Sequence, residues 1–163
     1  MKQGRGMRSA IGVVLLMLAM TAQAADKTAS DVVARVYRDF AWEAVMPGAG
    51  TGLAEQPEMV LRRYFTPGVA RQLAADAACK ARRGEICGLD FVPLWASQDP
   101  AAQDLTIVAS PDPGTVDVRF KFPSTGERIA LKFRLVPIKA GWRIADIKYP
   151  NGSSLVEVLA HGP

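Results

Sequence analysis

The chain has 163 residues, of which 49% are hydrophobic and 22% are charged, with 20 Lys and Arg residues against 16 Asp and Glu residues. Three of the basic residues and none of the acidic ones lie among the first 24 residues, so the other 163 − 24 = 139 residues have a net charge of 17 − 16 = +1. The high isoelectric point of the whole chain is therefore no argument for nucleic-acid binding, and the length fits one domain with a single hydrophobic core.

The first 24 residues have the pattern of a cleaved signal peptide. Three basic residues precede an apolar run over residues 10–20, and the small-residue triplet Ala22–Ala24 follows. The apolar run is shorter than the roughly 20 residues that a membrane-spanning helix needs. We therefore predict cleavage after Ala24, export to a bacterial periplasm without a membrane anchor, and a single soluble domain over residues 25–163.

A first helix is predicted from Thr28 to about Val45. Thr28 and Asp31 form a capping box, and the apolar residues that follow recur at spacings of three and four, which places them on one face. The opposite face carries charged residues, among them Glu43. Pro47 and the glycines after it end the helix.

Two further helices are predicted before the sequence becomes irregular. The second is short and covers residues 57 to about 64, and the third covers residues 67 to about 83, with Thr66 as its N-cap and Gly84 as its stop. Residues 88–104 contain glycine, prolines and large aromatic side chains. We interpret them as a connecting segment whose aromatic groups fold back onto the core.

The two cysteines, Cys79 and Cys87, are predicted to form a disulfide. An even number of cysteines in an exported protein favours pairing, and their spacing differs from the C-x-x-C motif of redox sites. Two cysteines and the distant His161 are too few for a zinc site.

The rest of the chain alternates apolar and polar residues with the period of β-strands. Short turns between the strands predict an antiparallel meander of about four strands, followed by a short helix or turn over residues 154–159. In the last predicted strand, the apolar residues shift from even to odd positions near Ala145 and Asp146, which indicates a β-bulge there. The sequence thus predicts an α+β fold, with N-terminal helices packed on one face of a curved antiparallel sheet. The predicted strands are Leu105–Ser110, Thr115–Phe122, Arg128–Val136 and Trp142–Tyr149.

This pattern resembles a known superfamily. Helices followed by a meander that ends in Gly141-Trp-Arg-Ile-Ala-Asp-Ile-Lys-Tyr149 resemble the cone-shaped nuclear-transport-factor-two-like superfamily. Cys87-Gly-Leu-Asp-Phe, followed by Leu94-Trp-Ala-Ser-Gln-Asp99, is similar to the exported bacterial group known as domain of unknown function 3828. The resemblance covers roughly residues 31–159 and implies a cone-like sheet. It implies no catalytic residue, because that group has no assigned activity.

Asp146 is the strongest candidate for chemistry. If it points into an apolar cone, burial raises its pKa and it can act as a base, together with Tyr37 or Tyr64, in a cofactor-free isomerase or lyase. In the alternative interpretation, which we favour, Asp146 lies at the sheet rim and bonds to backbone or to Arg143.

Candidate ligand-pocket residues lie in the connecting segment and at the start of the last strand. They are Asp90, Trp95, Gln98 and Trp142, although the polar ones among them also suit ordinary turns. Motifs for nucleotides, metals or a serine nucleophile are absent from the sequence, so we expect no cofactor and no metal.

The predicted outer face of the sheet is basic. Pairing Phe122 with Ile129 would place Asp117 opposite Arg134. Such a face either is simply solvated or docks an acidic partner, a lipid headgroup or a cell-envelope polymer. We expect a non-catalytic binding or protein-interaction module whose ligand is a small apolar molecule or a periplasmic protein. The basic residues of this face are Arg119, Lys121, Lys132, Arg134 and Arg143.

Overall fold

The computed structural model describes residues 28–161, which form four α-helices and four β-strands. The predicted signal peptide lies outside the described residues. Two short 3-10 helices, Ala41–Ala44 and Leu53–Glu55, lie between the first two α-helices. The α-helices are α1 (Ala29–Phe40), α2 (Glu58–Leu61), α3 (Pro67–Arg83) and α4 (Leu155–Ala160).

The strands form one antiparallel sheet in the order β1-β2-β3-β4, with helices packed against it. The sheet is open rather than closed, and the predicted α+β fold is confirmed. The strands are β1 (Gln103–Ala109), β2 (Thr115–Lys121), β3 (Arg128–Ile138) and β4 (Gly141–Lys148).

Local signals placed the start of α1 and both ends of α3 correctly. Thr28 and Asp31 form the predicted capping box, Thr66 accepts a hydrogen bond from the backbone of Val69, and Gly84 ends α3 with a φ of +70°. A left-handed residue at this position favours glycine, which has no Cβ to clash. The predicted extension of the first helix to Val45 is wrong: the α-helix ends at Phe40, a 3-10 turn continues it, and Val45 is exposed.

The pairing of Phe122 with Ile129 that was considered for β2 and β3 does not occur. Phe120 faces Ile129, because the turn between the strands covers residues 123–126, whereas that pairing requires a turn over residues 124–127. Proline is favoured at the first central position of a turn, and the backbone amide of Phe122 donates to the carbonyl of Glu127 at 2.9 Å to close it. Asp117 therefore faces Lys132 rather than Arg134.

The predicted β-bulge is confirmed. Arg134 pairs with Asp146 and Leu135 pairs with Ile144, so Ala145 is an extra residue on β4. Beside the bulge, the backbone of Ile144 exchanges hydrogen bonds with Tyr64 and Thr66, which covers the outer edge of β4.

Aromatic side chains fill the space between the helices and the sheet. The Trp95 ring lies 5.1 Å from the Tyr37 ring and 5.5 Å from the Phe120 ring, and Phe133 lies 5.9 Å from Tyr37. All four belong to one buried hydrophobic cluster. The connecting segment thus contributes Trp95 to the centre of the core, as the sequence predicted. Within residues 28–161, no helix has both the length and the apolar character to cross a membrane.

Candidate ligand-binding groove

The buried carboxylate of Glu43 holds two segments together. Its Oε1 accepts a hydrogen bond from the backbone amide of Leu53 at 2.6 Å, and its Oε2 accepts one from Trp95 Nε1 at 3.2 Å. Burial raises the pKa of Glu43, although both hydrogen bonds oppose this effect. Trp95 is thereby fixed in the core and does not line the groove described below. The sequence placed Glu43 on a solvated helix face, and no local signal reveals a partner 52 residues away.

A second carboxylate, Asp76, holds the start of the connecting segment against α3. Its Oδ1 accepts hydrogen bonds from the backbone amides of Gly88 at 2.7 Å and Leu89 at 3.2 Å, and its Oδ2 lies 3.2 Å from Lys80 Nζ. The predicted disulfide between Cys79 and Cys87, with Cα atoms 6.2 Å apart, ties the same segment to the helix. One covalent bond and two hydrogen bonds therefore hold residues 87–89 against α3 and make this segment a wall beside the helix.

An open groove of about 630 Å³ lies beside this wall. We call it the helix-side groove. Ile86 stands at its edge with 64% of its surface exposed, and Phe91 lies half-buried along it. Its polar lining consists of Glu43, Glu55, Asp76, Lys80, Glu85, Asp90 and Gln98. Of the carboxylates, those of Glu43, Glu55 and Asp90 form no ion pair within residues 28–161. Its apolar lining consists of Ala54, Ala77, Ile86, Leu89, Phe91 and Val92.

A neighbouring depression of about 400 Å³ lies toward the β2–β3 turn, and we call it the hairpin-side groove. Asp90, Phe91 and Gln98 line both grooves, and Gln98 Nε2 lies 3.5 Å from Asp90 Oδ2. The two grooves are therefore parts of one concave surface, and their volumes fall within the usual range for small-molecule sites. The structure thus brings together Asp90 and Gln98, two of the four candidate ligand-pocket residues.

The fourth candidate, Trp142, lies elsewhere. Its ring packs against Gly114 in the β1–β2 turn, where an added Cβ would lie 3.1 Å from the ring and 2.6 Å from the carbonyl oxygen of Leu135. Gly114 has a φ of +74°, so both its conformation and its close contacts require glycine. Trp142 is a partly buried core residue at this turn.

The three candidate catalytic residues are held by different parts of the fold. Asp146 is buried, and its Oδ1 accepts hydrogen bonds from the backbone amides of Ile147 at 2.9 Å and Val156 at 3.1 Å. Tyr37 donates to the carbonyl of Leu94 at 2.6 Å. None of the three candidates lines either groove.

Tyr64, the third of them, donates to Asp39 Oδ2 at 2.7 Å, and the guanidinium of Arg35 stacks on its ring at 4.8 Å. Burial, followed by the hydrogen bond to Asp39, raises the pKa of Tyr64 to about 12. Burial likewise raises the pKa of Tyr37 well above its usual value. Both hydroxyls are therefore neutral donors at physiological pH.

Tyr149 was not predicted as a site residue, yet it lines the hairpin-side groove. Its ring packs edge-to-face on Phe91 at 4.9 Å, and its buried hydroxyl has no hydrogen-bond partner in the described part of the chain. Burial, and then the charge of Asp146, raises the pKa of Tyr149. In the sequence, the alternation of apolar and polar residues in the last predicted strand indicates that Tyr149 is buried, but it does not indicate that Tyr149 lines a groove.

No family model, curated protein or solved structure matches this chain. The candidate site therefore rests on its own geometry and chemistry.

Proposed function

We propose that this protein is a non-catalytic binding module of the bacterial periplasm, which holds a small, largely apolar molecule in the groove. The observation that carries the proposal is that Asp90, Phe91 and Gln98 line both depressions, so that they form one continuous concave surface. A concave surface that combines apolar side chains with polar ones is typical of ligand sites.

The position of the ligand follows from the packing of the core. The space under the sheet, where a cone-shaped sheet would hold an apolar ligand, is filled by Tyr37, Trp95, Phe120 and Phe133. The helix-side groove offers a different position for the ligand, with Ile86 and Phe91 as apolar contacts. The Asp90 carboxylate and the Gln98 amide can accept and donate one hydrogen bond each to fix the orientation of the ligand.

The absence of catalysis is supported by the way the candidate polar groups are used. A general base needs a free acceptor within reach of the substrate. Asp146 accepts two backbone amides through Oδ1, and the hydroxyls of Tyr37 and Tyr64 each donate to a partner within the fold. An isomerase or lyase built on these residues would lack a substrate site, because none of the three lines either groove.

Export is supported by the disulfide, because such bonds persist in oxidising compartments. If the signal peptide is cleaved after Ala24, the N-terminal residue of the mature protein is Ala25. Intact-mass measurement on protein isolated from the bacterial envelope tests this, and a retained Met1 would contradict export through a cleaved signal peptide.

The groove is tested by measuring the binding of a neutral solvatochromic dye to two variants, in each of which one alanine of α3 is replaced by phenylalanine. Ala77 lines the helix-side groove, whereas Ala75 is exposed on another side of the same helix. Ala77→Phe fills the groove, so we expect it to weaken dye binding at least about fivefold, the effect of roughly 1 kcal/mol. Ala75→Phe serves as the control and should leave dye affinity unchanged.

Ile86→Asp provides a second variant that does not depend on helix packing, because Ile86 is largely exposed. It should also weaken dye binding without lowering the melting temperature. Absence of dye binding in the wild type, or equal affinity in the wild type and in Ala77→Phe and Ile86→Asp, would contradict the groove as the ligand site.

A further inference from the structure

The outer face of the sheet, opposite the helices, carries a concentration of positive charge. We call it the basic sheet face. Asp117 is the one carboxylate among the outward-facing residues of β2 and β3, and it lies opposite Lys132. The basic residues of this face are Arg119, Lys121, Arg128, Lys132, Arg134 and Lys148.

The register places like charges directly opposite each other. Lys121 faces Arg128 across β2 and β3, and Lys132 faces Lys148 across β3 and β4. Directly opposed like charges destabilise a sheet unless a nearby carboxylate balances one of them.

Two of the six cations are neutralised within the protein. Lys121 Nζ lies 2.7 Å from Asp104 Oδ2, and Lys148 Nζ lies 3.4 Å from Glu157 Oε1. The other four are exposed and form no ion pair with any described residue. Arg143, expected on this face from the sequence, instead donates to the backbone carbonyls of Arg62 and Trp142. The four cations without an ion pair are Arg119, Arg128, Lys132 and Arg134.

The face lacks the centre that a specific protein interface usually has. Such interfaces concentrate their binding energy in buried aromatic or large aliphatic anchors surrounded by a polar rim. Here Ala130 lies opposite Arg119 in the middle of the charged residues, and the exposed aliphatic residues Val108 and Ile138 lie only at the margins, on β1 and at the end of β3. The attraction of this face is therefore electrostatic and spread over many positions, which suits a partner with mobile, closely spaced negative charges.

A shallow depression of about 140 Å³ opens near the β2–β3 end of the face. Its lining includes Arg119, Lys121 and Arg128 together with Asp104, which pairs with Lys121, whereas Phe120 and Ile129 are buried in the core. The depression therefore offers an anion the side chains of Arg119 and Arg128.

We propose that the basic sheet face docks the protein reversibly on the anionic phospholipid headgroups of a membrane. This inference does not depend on the groove, which lies on the side of the helices and the connecting segment. Near an anionic membrane, each Lys or Arg contributes about a fivefold change in partitioning. The attraction should weaken as salt is added, because the charges are exposed and screened.

The test is flotation of residues 25–163 with vesicles of phosphatidylethanolamine, with or without phosphatidylglycerol. A protein of residues 25–163 keeps every residue of the described core. It lacks the apolar segment of residues 10–20, which could itself bind to vesicles. Lys132→Gln combined with Arg134→Gln removes two exposed cations from the face. We expect the partition coefficient to fall about 25-fold, which is fivefold for each cation.

Arg71→Gln combined with Arg82→Gln makes the same change in net charge on exposed positions of α3, away from the sheet. This control should stay within about twofold of the wild type, since the removed charges lie far from the proposed contact. An equal loss for both pairs would mean attraction by net charge alone and would overturn the proposal. So would equal binding to neutral vesicles, or binding to an acidic protein or to nucleic acid with no binding to vesicles.

Discussion

Glu43, Asp76 and Asp146 share one structural role, because each accepts hydrogen bonds from backbone amides of a segment distant in sequence. Glu43 holds Leu53, Asp76 holds Gly88 and Leu89, and Asp146 holds Val156. Buried carboxylates are often markers of active sites, but here each of the three binds backbone amides of the fold. The sequence shows a carboxylate and an amide without showing that they meet.

Replacement of Glu43 by Gln should lower stability by about 1–3 kcal/mol, because an amide cannot accept from both Leu53 and Trp95 and leaves one buried donor without a partner. The cost should depend on pH. The folded pKa of Glu43 lies above the ordinary value of about 4.3, so the folded state holds its proton more tightly than the unfolded state. The contribution of Glu43 is thus greatest at low pH and falls as pH rises from about 4.3 through the raised pKa.

Urea unfolding of the wild type and of Glu43→Gln over this pH range checks the prediction. The difference in unfolding free energy should narrow as pH rises, since glutamine does not titrate. Glu55→Gln, at a neighbouring carboxylate in the groove, serves as the control. A difference that stays constant or widens with pH would contradict the assigned direction.

Asp146→Ala should destabilise the protein by about 1–2 kcal/mol, because the first turn of α4 loses an acceptor for the backbone amide of Val156. Asp146→Asn keeps an acceptor oxygen in the same position and should retain most of the stability. Thermal unfolding of the two variants measures the difference. A silent Asp146→Ala would show that these hydrogen bonds contribute nothing to the fold.

At the level of elements, the predictions succeeded where the controlling residues lie close together in sequence. The caps of α3 at Thr66 and Gly84 act within one turn of the helix ends, and the bulge at Ala145 is visible as a change of alternation. The register considered for β2 and β3 was wrong because the turn between them begins at Pro123 rather than at Ser124. The alternation of apolar and polar residues in the two strands does not show where the turn begins. Pairing then shifted Asp117 from Arg134 to Lys132.

Loss of the disulfide should lower stability by about 2–3 kcal/mol in Cys87→Ser, since the bond closes a loop of only a few residues in the unfolded chain. Cys87 is partly exposed, whereas Cys79 is buried, so the substitution at Cys87 disturbs the core less. Reduction of the wild type should give the same loss in urea unfolding. Detection of two free thiols in protein that is isolated from the bacterial envelope and then denatured would contradict a disulfide in the exported form.

At the scale of the whole molecule, the sequence predicted the layers but could not decide whether the space under the sheet is open. Alternating residues on the strands identify the buried face, and the spacing in α1 identifies the face that covers it. Whether the space between α1 and the sheet is filled depends on Trp95, which belongs to a segment without regular secondary structure. Its position depends on Glu43, through a contact that spans 52 residues.

The filled interior leads to a prediction for Phe133, which is fully buried beside Tyr37 and belongs to the central cluster. Phe133→Ala should cost about 3–5 kcal/mol, because it removes apolar contacts and leaves a cavity that the rigid sheet cannot close. Ile138→Ala, near the exposed end of the same strand, should cost far less. Urea unfolding measures both, and the dye should still bind folded Phe133→Ala, because the groove lies outside the core. A loss at Phe133 as small as that at Ile138, with dye affinity altered at Phe133, would instead place the ligand under the sheet.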